Sequence, residues 1–311
     1  MGIYAAMRDS GESWLTATEV AALIEVPTPT IRSWERRYGW PEPARTQGGH
    51  RRYSPSDVEG LRAIRDEIAK GHSAQQAVIL LRRQAARHKG RYVAQLVDAA
   101  VKIDPWRVRR ALADVKSALP TEDAIEGVIL PSVREIGRQW EKGVCDVAGE
   151  HAATGQIRQW LGGLLEEHGA GHHAPTVVLA TGPADFHSIG LEAFAVLLAR
   201  QGIRTLVLGA LTPVASLVQA VKTLEAEAAV VTCHMPITRR AALDSITSIA
   251  KLLETNGVYY AGNGFATARS RRGVPGTYLG TDMGAAAEQL ARELLTRSET
   301  SGLLEGATDA P

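Results

Sequence analysis

From residue 176 onward, short apolar runs alternate with longer helical stretches, and that order leaves little choice of architecture. TVVLAT (176–181), RTLVLG (204–209), AAVVT (228–232) and GVYYAG (257–262) are apolar along their whole length, the pattern of strands buried on both faces of a parallel sheet. Helical stretches fill 188–201, 213–226 and 238–255, and TYLG (277–280) fits a fifth strand. Strand and helix in strict succession predict a doubly wound α/β sheet, whose ligands lie in loops at the carboxyl ends of the strands.

The loop after the first of these strands reads Asp185-Phe186-His187-Ser188-Ile189-Gly190 and opens a helix. An imidazole with a carboxylate two residues before it suits a metal ligand. A ligating histidine gives its other ring N–H to a carboxylate, which fixes the tautomer and raises basicity. A lone histidine is usually structural, so this segment gains weight only from its position at a strand end.

The N-terminal part has a different character. Thr16 to Leu23 reads as a short helix that Thr16 or Thr18 can cap, with Val20, Leu23 and Ile24 as its apolar face. Thr30 to Tyr38 forms a second helix, ended by Gly39 and the prolines Pro41 and Pro43. Between residues 31 and 52 six arginines (Arg32, Arg36, Arg37, Arg45, Arg51, Arg52) face two acids (Glu35, Glu42), although the whole chain carries a net charge of only +1. A near-neutral protein with one basic stretch points to nucleic-acid binding by one module. Two short helices, the second one basic, make a helix-turn-helix arrangement. The glycines of Thr46-Gln47-Gly48-Gly49-His50 suit a hairpin tip. Trp34, in mid-helix, belongs with the core.

From Gly90 to about His168 the pattern is helical with short breaks, and four such helices predict a small bundle. Trp140 ends its third helix, Asp146 can cap the fourth, and Glu150-His151 sit one turn in. Without context, Trp140 reads as core and the other two as surface residues.

The chain of 311 residues, 45% apolar and 22% charged, suits two or three folded domains. No run of eighteen apolar residues is present, so no membrane span is expected. The first residues, MGIYAAMRDSGES, lack a signal-peptide layout, and a cytoplasmic location is expected. Cys145 and Cys233 show no metal or redox spacing and read as reduced, small hydrophobes.

Two resemblances follow from these motifs. The series TIRSWERRYG…R…GGHRRYS…DV resembles the winged-helix DNA-binding domain of the MerR family. That resemblance implies that Arg32, Arg36, Arg37 and Tyr38 lie on or just after a recognition helix, that His50, Arg51, Arg52 and Tyr53 form the wing, and that the partner is double-stranded operator DNA. MerR proteins dimerise through a long coiled coil, whereas Ser54 to Arg87 is broken by Gly71 and is too short for several heptads. Assembly is therefore expected to depend on the downstream domain.

The spacing W-x(9)-E-H, followed by D-x-H-x-x-G on the predicted sheet, resembles the light-sensing cobalamin regulators of the CarH/LitR type. This implies adenosylcobalamin as cofactor, with His187 the lower cobalt ligand and Asp185, Ser188 and Gly190 in its loop. Trp140, Glu150 and His151 would line the pocket of the upper adenosyl group. Thr232, Gly262 and Gly264 would line the slot for the dimethylbenzimidazole tail, where small residues leave room. It further implies a light-responsive repressor, held on DNA in the dark as a ligand-dependent tetramer and released on photolysis.

The sequence departs from the family at three places. Glu141 stands where a histidine captures cobalt after light, His234 in Thr232-Cys233-His234 stands where the family has the leucine of S-x-L, and Ala261-Gly262-Asn263-Gly264 replaces a Gly-Gly pair. A light-independent cobalamin sensor, or a regulator using another tetrapyrrole with or instead of cobalamin, is the alternative. A corrinoid enzyme would need a substrate domain, and a DNA-binding module stands in its place. The expected organisation is a flexible N-terminus (1–13), the DNA-binding module (14–88), the helical cap (90–170), the sheet domain (175–297) and a flexible tail (298–311).

Overall fold

The computed structural model describes residues 14–41, 43–46, 49–171, 174–253 and 255–308. The expected flexible N-terminus (1–13) lies outside the described residues, as do Gln47 and Gly48 of the hairpin tip. The chain divides into two compact units: residues up to Asp98 with Ala113–Ser132, and Ala99–Leu112 with Val133 onward.

In the first unit, α1 (Ala17–Ile24) starts at Thr16, whose hydroxyl accepts from the Glu19 N–H while the Glu19 carboxylate accepts from the Thr16 N–H. This reciprocal cap satisfies two donors that an isolated helix start leaves open. Helix α2 (Thr28–Tyr38) follows after a short turn and stops at Gly39, whose φ of 58° is left-handed. Strands β1 (Ala44–Arg45) and β2 (Arg51–Arg52) pair antiparallel as a small wing, and Leu15 bridges to Tyr53 beside them. Helix α3 (Pro55–Ala69) has its own capping box at Ser54. Val20, Ile24, Ile31, Trp34, Tyr53, Leu61 and Ile64 form the core of this unit, so Trp34 is the core residue that its mid-helix place suggested.

Helix α4 (Ala74–Val101) runs without a break through residues 88–90, where a domain boundary was expected. A single glycine, Gly90, costs a helix about 1 kcal/mol relative to alanine, too little to end one among good helix formers. Helix α5 (Pro105–Ala118) and the single turn α6 (Thr121–Ala124) come next. The third helix of the bundle, expected to end at Trp140, is then interrupted by a π-turn, Ile125–Ile129, before α7 (Leu130–Glu141). The wider turn precedes Pro131, whose ring clashes with the carbonyl four residues back and which has no N–H to donate.

In the second unit, α8 (Val147–Glu167) is capped by Asp146, whose carboxylate accepts from the Ala148 N–H at 2.8 Å. Gly149 lets α8 approach the end of α4, because a Cβ there would meet the Ala100 carbonyl oxygen at 2.2 Å. Arg109 of α5 donates to Gln156 of α8 at 2.9 Å. These helices lie beside a five-stranded parallel sheet of β3 (Thr176–Thr181), β4 (Arg204–Gly209), β5 (Ala228–Thr232), β6 (Val258–Ala261) and β7 (Thr277–Tyr278). Its order is β4-β3-β5-β6-β7, with α9 (Ile189–Arg200), α10 (Val214–Thr223) and α11 (Arg239–Ala250) as the crossover helices.

After α12 (Ala268–Arg271), the last helix, α13 (Met283–Thr308), continues through most of the expected flexible tail. No proline interrupts it, and Leu303, Leu304, Glu305 and Ala307 are good helix formers. The end of that tail, 309–311, lies outside the described residues.

The sheet order fixes where a ligand can enter. The chain leaves β3 toward one side to make β4, then crosses back to the other side to make β5. The loops after β3 and β5 therefore diverge, and the crevice between them is the topological switch point of a doubly wound sheet.

Candidate functional site

The two diverging loops carry Asp185 and His187 after β3, and His234 after β5. Asp185 is the hub. Its Oδ1 accepts from the His187 ring Nδ1 at 2.8 Å and from the His187 backbone N–H at 3.0 Å. Its Oδ2 accepts from the His234 backbone N–H at 2.5 Å. Backbone groups hold Asp185 in turn: its carbonyl accepts from the Thr181 hydroxyl at 2.8 Å and from the Leu211 N–H at 2.9 Å. The loops after β3 and β5 thus meet at the Asp185 carboxylate, and the loop after β4 at its backbone carbonyl.

The electrostatics follow from this geometry. Burial alone would raise the Asp185 pKa, but the backbone N–H groups of His234 and His187, with the His187 ring, outweigh it and hold the carboxyl below its ordinary value. An ionised Asp185 can only accept, so Nδ1 of His187 is the donor and Nε2 keeps the lone pair that can ligate a metal. The Asp185 side chain is 1% exposed while that of His187 is 49% exposed. The buried group orients the exposed one.

His234 stacks on His187, with ring centroids 4.1 Å apart and planes at 27°. Burial lowers the His234 pKa, and the charges of His187 and of Arg134 on α7 add to that while Asp185 opposes it. The His234 imidazole is thereby biased toward its neutral form. Phe186, Leu211, Met235 and Ile237, on the loops after β3, β4 and β5, expose their apolar side chains at the same strand ends. Large apolar residues directly after strand ends were a signal available in the sequence, where loop residues are normally polar.

The remaining expected positions fall as follows. Ser188 is buried, and its hydroxyl accepts from Arg158 of α8 at 2.9 Å and donates to Glu192 at 3.0 Å, with Arg158 also paired to Glu192. Gly190 lies in the first turn of α9. Thr232 ends β5. Gly262 and Gly264 pack against Cys233: a Cβ on Gly262 would meet the Cys233 carbonyl oxygen at 2.3 Å, and one on Gly264 would meet its Sγ at 2.3 Å. The room those glycines leave is taken by Cys233, which hydrogen-bonds through its backbone to Ala261 at 3.0 Å and Gly264 at 2.9 Å.

On the helices, Trp140 is 51% exposed at the end of α7 and is not a core residue. Glu150 is half-buried and lies 3.4 Å from the exposed His151 ring. Glu150 and Arg158 are eight residues apart on α8, close to one face and separated by about 12 Å along the axis. Arg158, which sequence reasoning missed, thereby joins the face that carries Glu150 to the loop that carries His187.

In the first unit, Arg32, Arg36 and Arg37 are exposed along α2, with Tyr38 half-buried at its end. His50 is exposed at the wing. Two of the expected wing residues take different roles. Tyr53 is fully buried and donates its hydroxyl to Glu35, so it cannot reach DNA from this position. Burial and the Glu35 contact push its pKa well above the ordinary tyrosine value. Arg51 is turned inward to the same carboxylate, with Nε 2.6 Å from Glu35 Oε2. Arg52 is half-buried and donates to the Arg51 carbonyl at 3.2 Å. Alternation along the chain puts Arg51 and Tyr53 on the face toward Glu35, and the sequence did not say which face that would be.

Comparison with known proteins agrees with this division of labour. Residues 15–84 match the MerR HTH family regulatory protein model, and residues 92–164 match a B12 binding domain. The chain is similar to the HTH-type transcriptional repressor CarH of Myxococcus xanthus, at 32% identity over 220 residues, covering 66% of this chain and 73% of that one. It is similar to the HTH-type transcriptional repressor CarA of the same organism at 32% identity over 203 residues, covering 64% of this chain and 69% of that one. Among solved structures, the monomethylamine corrinoid protein of Methanosarcina barkeri is similar at 16% identity with a TM-score of 0.48, covering 63% of this chain and 95% of that one.

Proposed function

From the premise that the chain belongs to the family of MerR-type transcriptional regulators with a B12-binding domain, alongside CarH and CarA, we propose that it is a light-responsive repressor governed by adenosylcobalamin. In this reading residues 14–88 hold operator DNA and residues 90–297 hold the cofactor. The observation that carries the proposal is the Asp185–His187 pair at the switch-point crevice.

The donor set fits a corrinoid. A single imidazole supplies one ligand, so the metal must bring its remaining ligands with it, as a cobalt in a macrocycle does. Among the described residues, no group of three or more His, Cys, Asp or Glu could hold a bare ion. The exposed Phe186, Leu211, Met235 and Ile237 offer an apolar surface suited to a flat ring. Adenosylcobalamin, when bound, supplies a cobalt–carbon bond that light can cleave.

The protein's part is to bind and to report. Asp185 holds the His187 tautomer, and His187 presents Nε2. The exposed indole of Trp140 offers a flat face to an adenine, and the Glu150 carboxylate can accept from ribose hydroxyls. Arg158, bonded to Ser188 and Glu192, ties the helix carrying Glu150 to the metal loop. Contacts that differ between ligand states are what bias assembly. Several weak DNA heads joined in one oligomer, a tetramer by resemblance, gain avidity together and lose it together.

The test is gel filtration and DNA binding with adenosylcobalamin, in darkness and after green light. The expected result is a large DNA-binding species in the dark and a smaller, released one after light. Identical elution and DNA affinity under both conditions contradict the light switch. Glu141 favours a second reading, a cobalamin sensor without a light response, because a carboxylate there cannot act as a capturing imidazole. An absorption spectrum that shows bound adenosylcobalamin but the same DNA affinity before and after its bleaching would select that reading. Bands belonging to another tetrapyrrole would point away from both.

A further inference from the structure

We propose that His234 is a positioning residue for His187: its ring, stacked on the His187 imidazole, sets the direction in which Nε2 is presented to the metal. The inference rests on the reading of His187 as a cobalt ligand and adds a residue that reading does not require.

The geometry makes the two histidines one unit. Asp185 uses one oxygen for the His187 ring, at 2.8 Å, and the other for the His234 backbone N–H, at 2.5 Å. The first bond fixes which ring nitrogen of His187 is engaged but still lets the ring swing about that hydrogen bond. The second bond brings the loop after β5 against the loop after β3 and seats the His234 ring at a centroid distance of 4.1 Å and an interplanar angle of 27°. One ring face of His187 is thus covered, and rotation of its plane would lose that contact. A hydrogen bond and a stacked face together define a direction that neither defines alone. The His187 side chain nonetheless remains 49% exposed.

The arrangement has a useful consequence for testing. His234 is tied to Asp185 through its backbone, so replacing its side chain leaves the Asp185 clamp in place and removes only the stack. A flat ring without nitrogen should serve as well as the imidazole if stacking is what matters, whereas a ligand or hydrogen-bonding role would need the nitrogen.

The experiment uses the full chain loaded with hydroxocobalamin, reduced to cobalt(II), in wild type, His187→Ala, His234→Ala and His234→Phe forms. Electron paramagnetic resonance reads the axial nitrogen splitting, and histidine labelled with nitrogen-15 separates a protein imidazole from the cofactor's own base. Equilibrium titration gives the dissociation constant, and thermal melting of the ligand-free proteins checks folding. The wild type is expected to show an isotope-sensitive axial nitrogen, and His187→Ala to lack it. His234→Ala should weaken binding roughly threefold to tenfold, the range of a lost aromatic pair, and give a mixture of coordinated and uncoordinated spectra at an unchanged melting temperature. His234→Phe should restore both.

A His234→Ala protein indistinguishable from wild type overturns the inference while leaving the ligand assignment standing. Loss without rescue by phenylalanine also overturns it, because the imidazole nitrogen would then be the working part. A wild-type spectrum without a protein nitrogen overturns the ligand assignment itself, and the positioning role with it.

Discussion

At the scale of single residues, Asp185 and His187 were legible because their pairing is local: two positions apart, at the end of an unmistakable strand. His234 was visible only as a departure from a pattern. Its contact with His187 depends on two strands being neighbours, which no local spacing encodes. Tyr53 was misread for a related reason, since its burial is decided by Glu35 on another element. Its role can be checked by Tyr53→Phe. Losing a hydrogen bond to a carboxylate costs about 1–3 kcal/mol, so denaturant unfolding should show a loss in that range, with DNA affinity of the folded protein unchanged. Weaker DNA binding at full stability would return Tyr53 to the DNA surface. Asp185→Asn should lower cobalamin affinity roughly tenfold to a hundredfold, the usual effect of removing a carboxylate behind a metal-bound histidine. Equilibrium titration reads it, and an unchanged affinity would remove Asp185 from the metal's surroundings.

Elements were read well where burial is uniform and poorly where chain chemistry acts at a distance. The central strands lie where their apolar runs place them, with β3 at Thr176–Thr181 and β5 at Ala228–Thr232. The π-turn at Ile125–Ile129 had one visible signal, Pro131, which marks a disturbed helix but not the form the disturbance takes in the turn before it. The strand-end glycines were legible as close approaches but not as to what approaches them. Cys233 is fully buried between Gly262 and Gly264 in the core behind the sheet. Gly264→Ala would therefore drive a methyl into its sulfur, and overpacking of this kind costs about 1–3 kcal/mol. Thermal unfolding of the ligand-free protein should show that loss, and adding Cys233→Ala should recover part of it. No recovery in the double variant would mean that the close contact at 2.3 Å is not the cause.

For the whole molecule, succession of elements predicted a doubly wound sheet, and the observed order β4-β3-β5-β6-β7 is one in which the switch point falls beside β3. Composition located the DNA-binding function in one region because the charge is concentrated there while the total is near zero. The helices that join the two functions defeated any simple boundary, since α4 is continuous through 88–90 and belongs in part to each compact unit. Phosphate contacts act on any sequence and release counterions. Replacing the exposed Arg36 and Arg37 by alanine should weaken binding to a nonspecific duplex and reduce the slope of log affinity against log salt by up to about two units. An unchanged slope would take α2 off the nucleic acid.

Everything beyond the DNA-binding module depends on whether a corrinoid is gripped from the crevice between β3 and β5. The direct measurement is the uptake of cobalamin and the coordination spectrum it acquires, compared between wild type and His187→Ala at equal protein concentration. The alanine variant, still folded by its melting curve, should lose the protein-derived axial ligand and bind at least roughly tenfold more weakly, as expected when a metal's only protein ligand is removed. Equal uptake with an unaltered spectrum would contradict it.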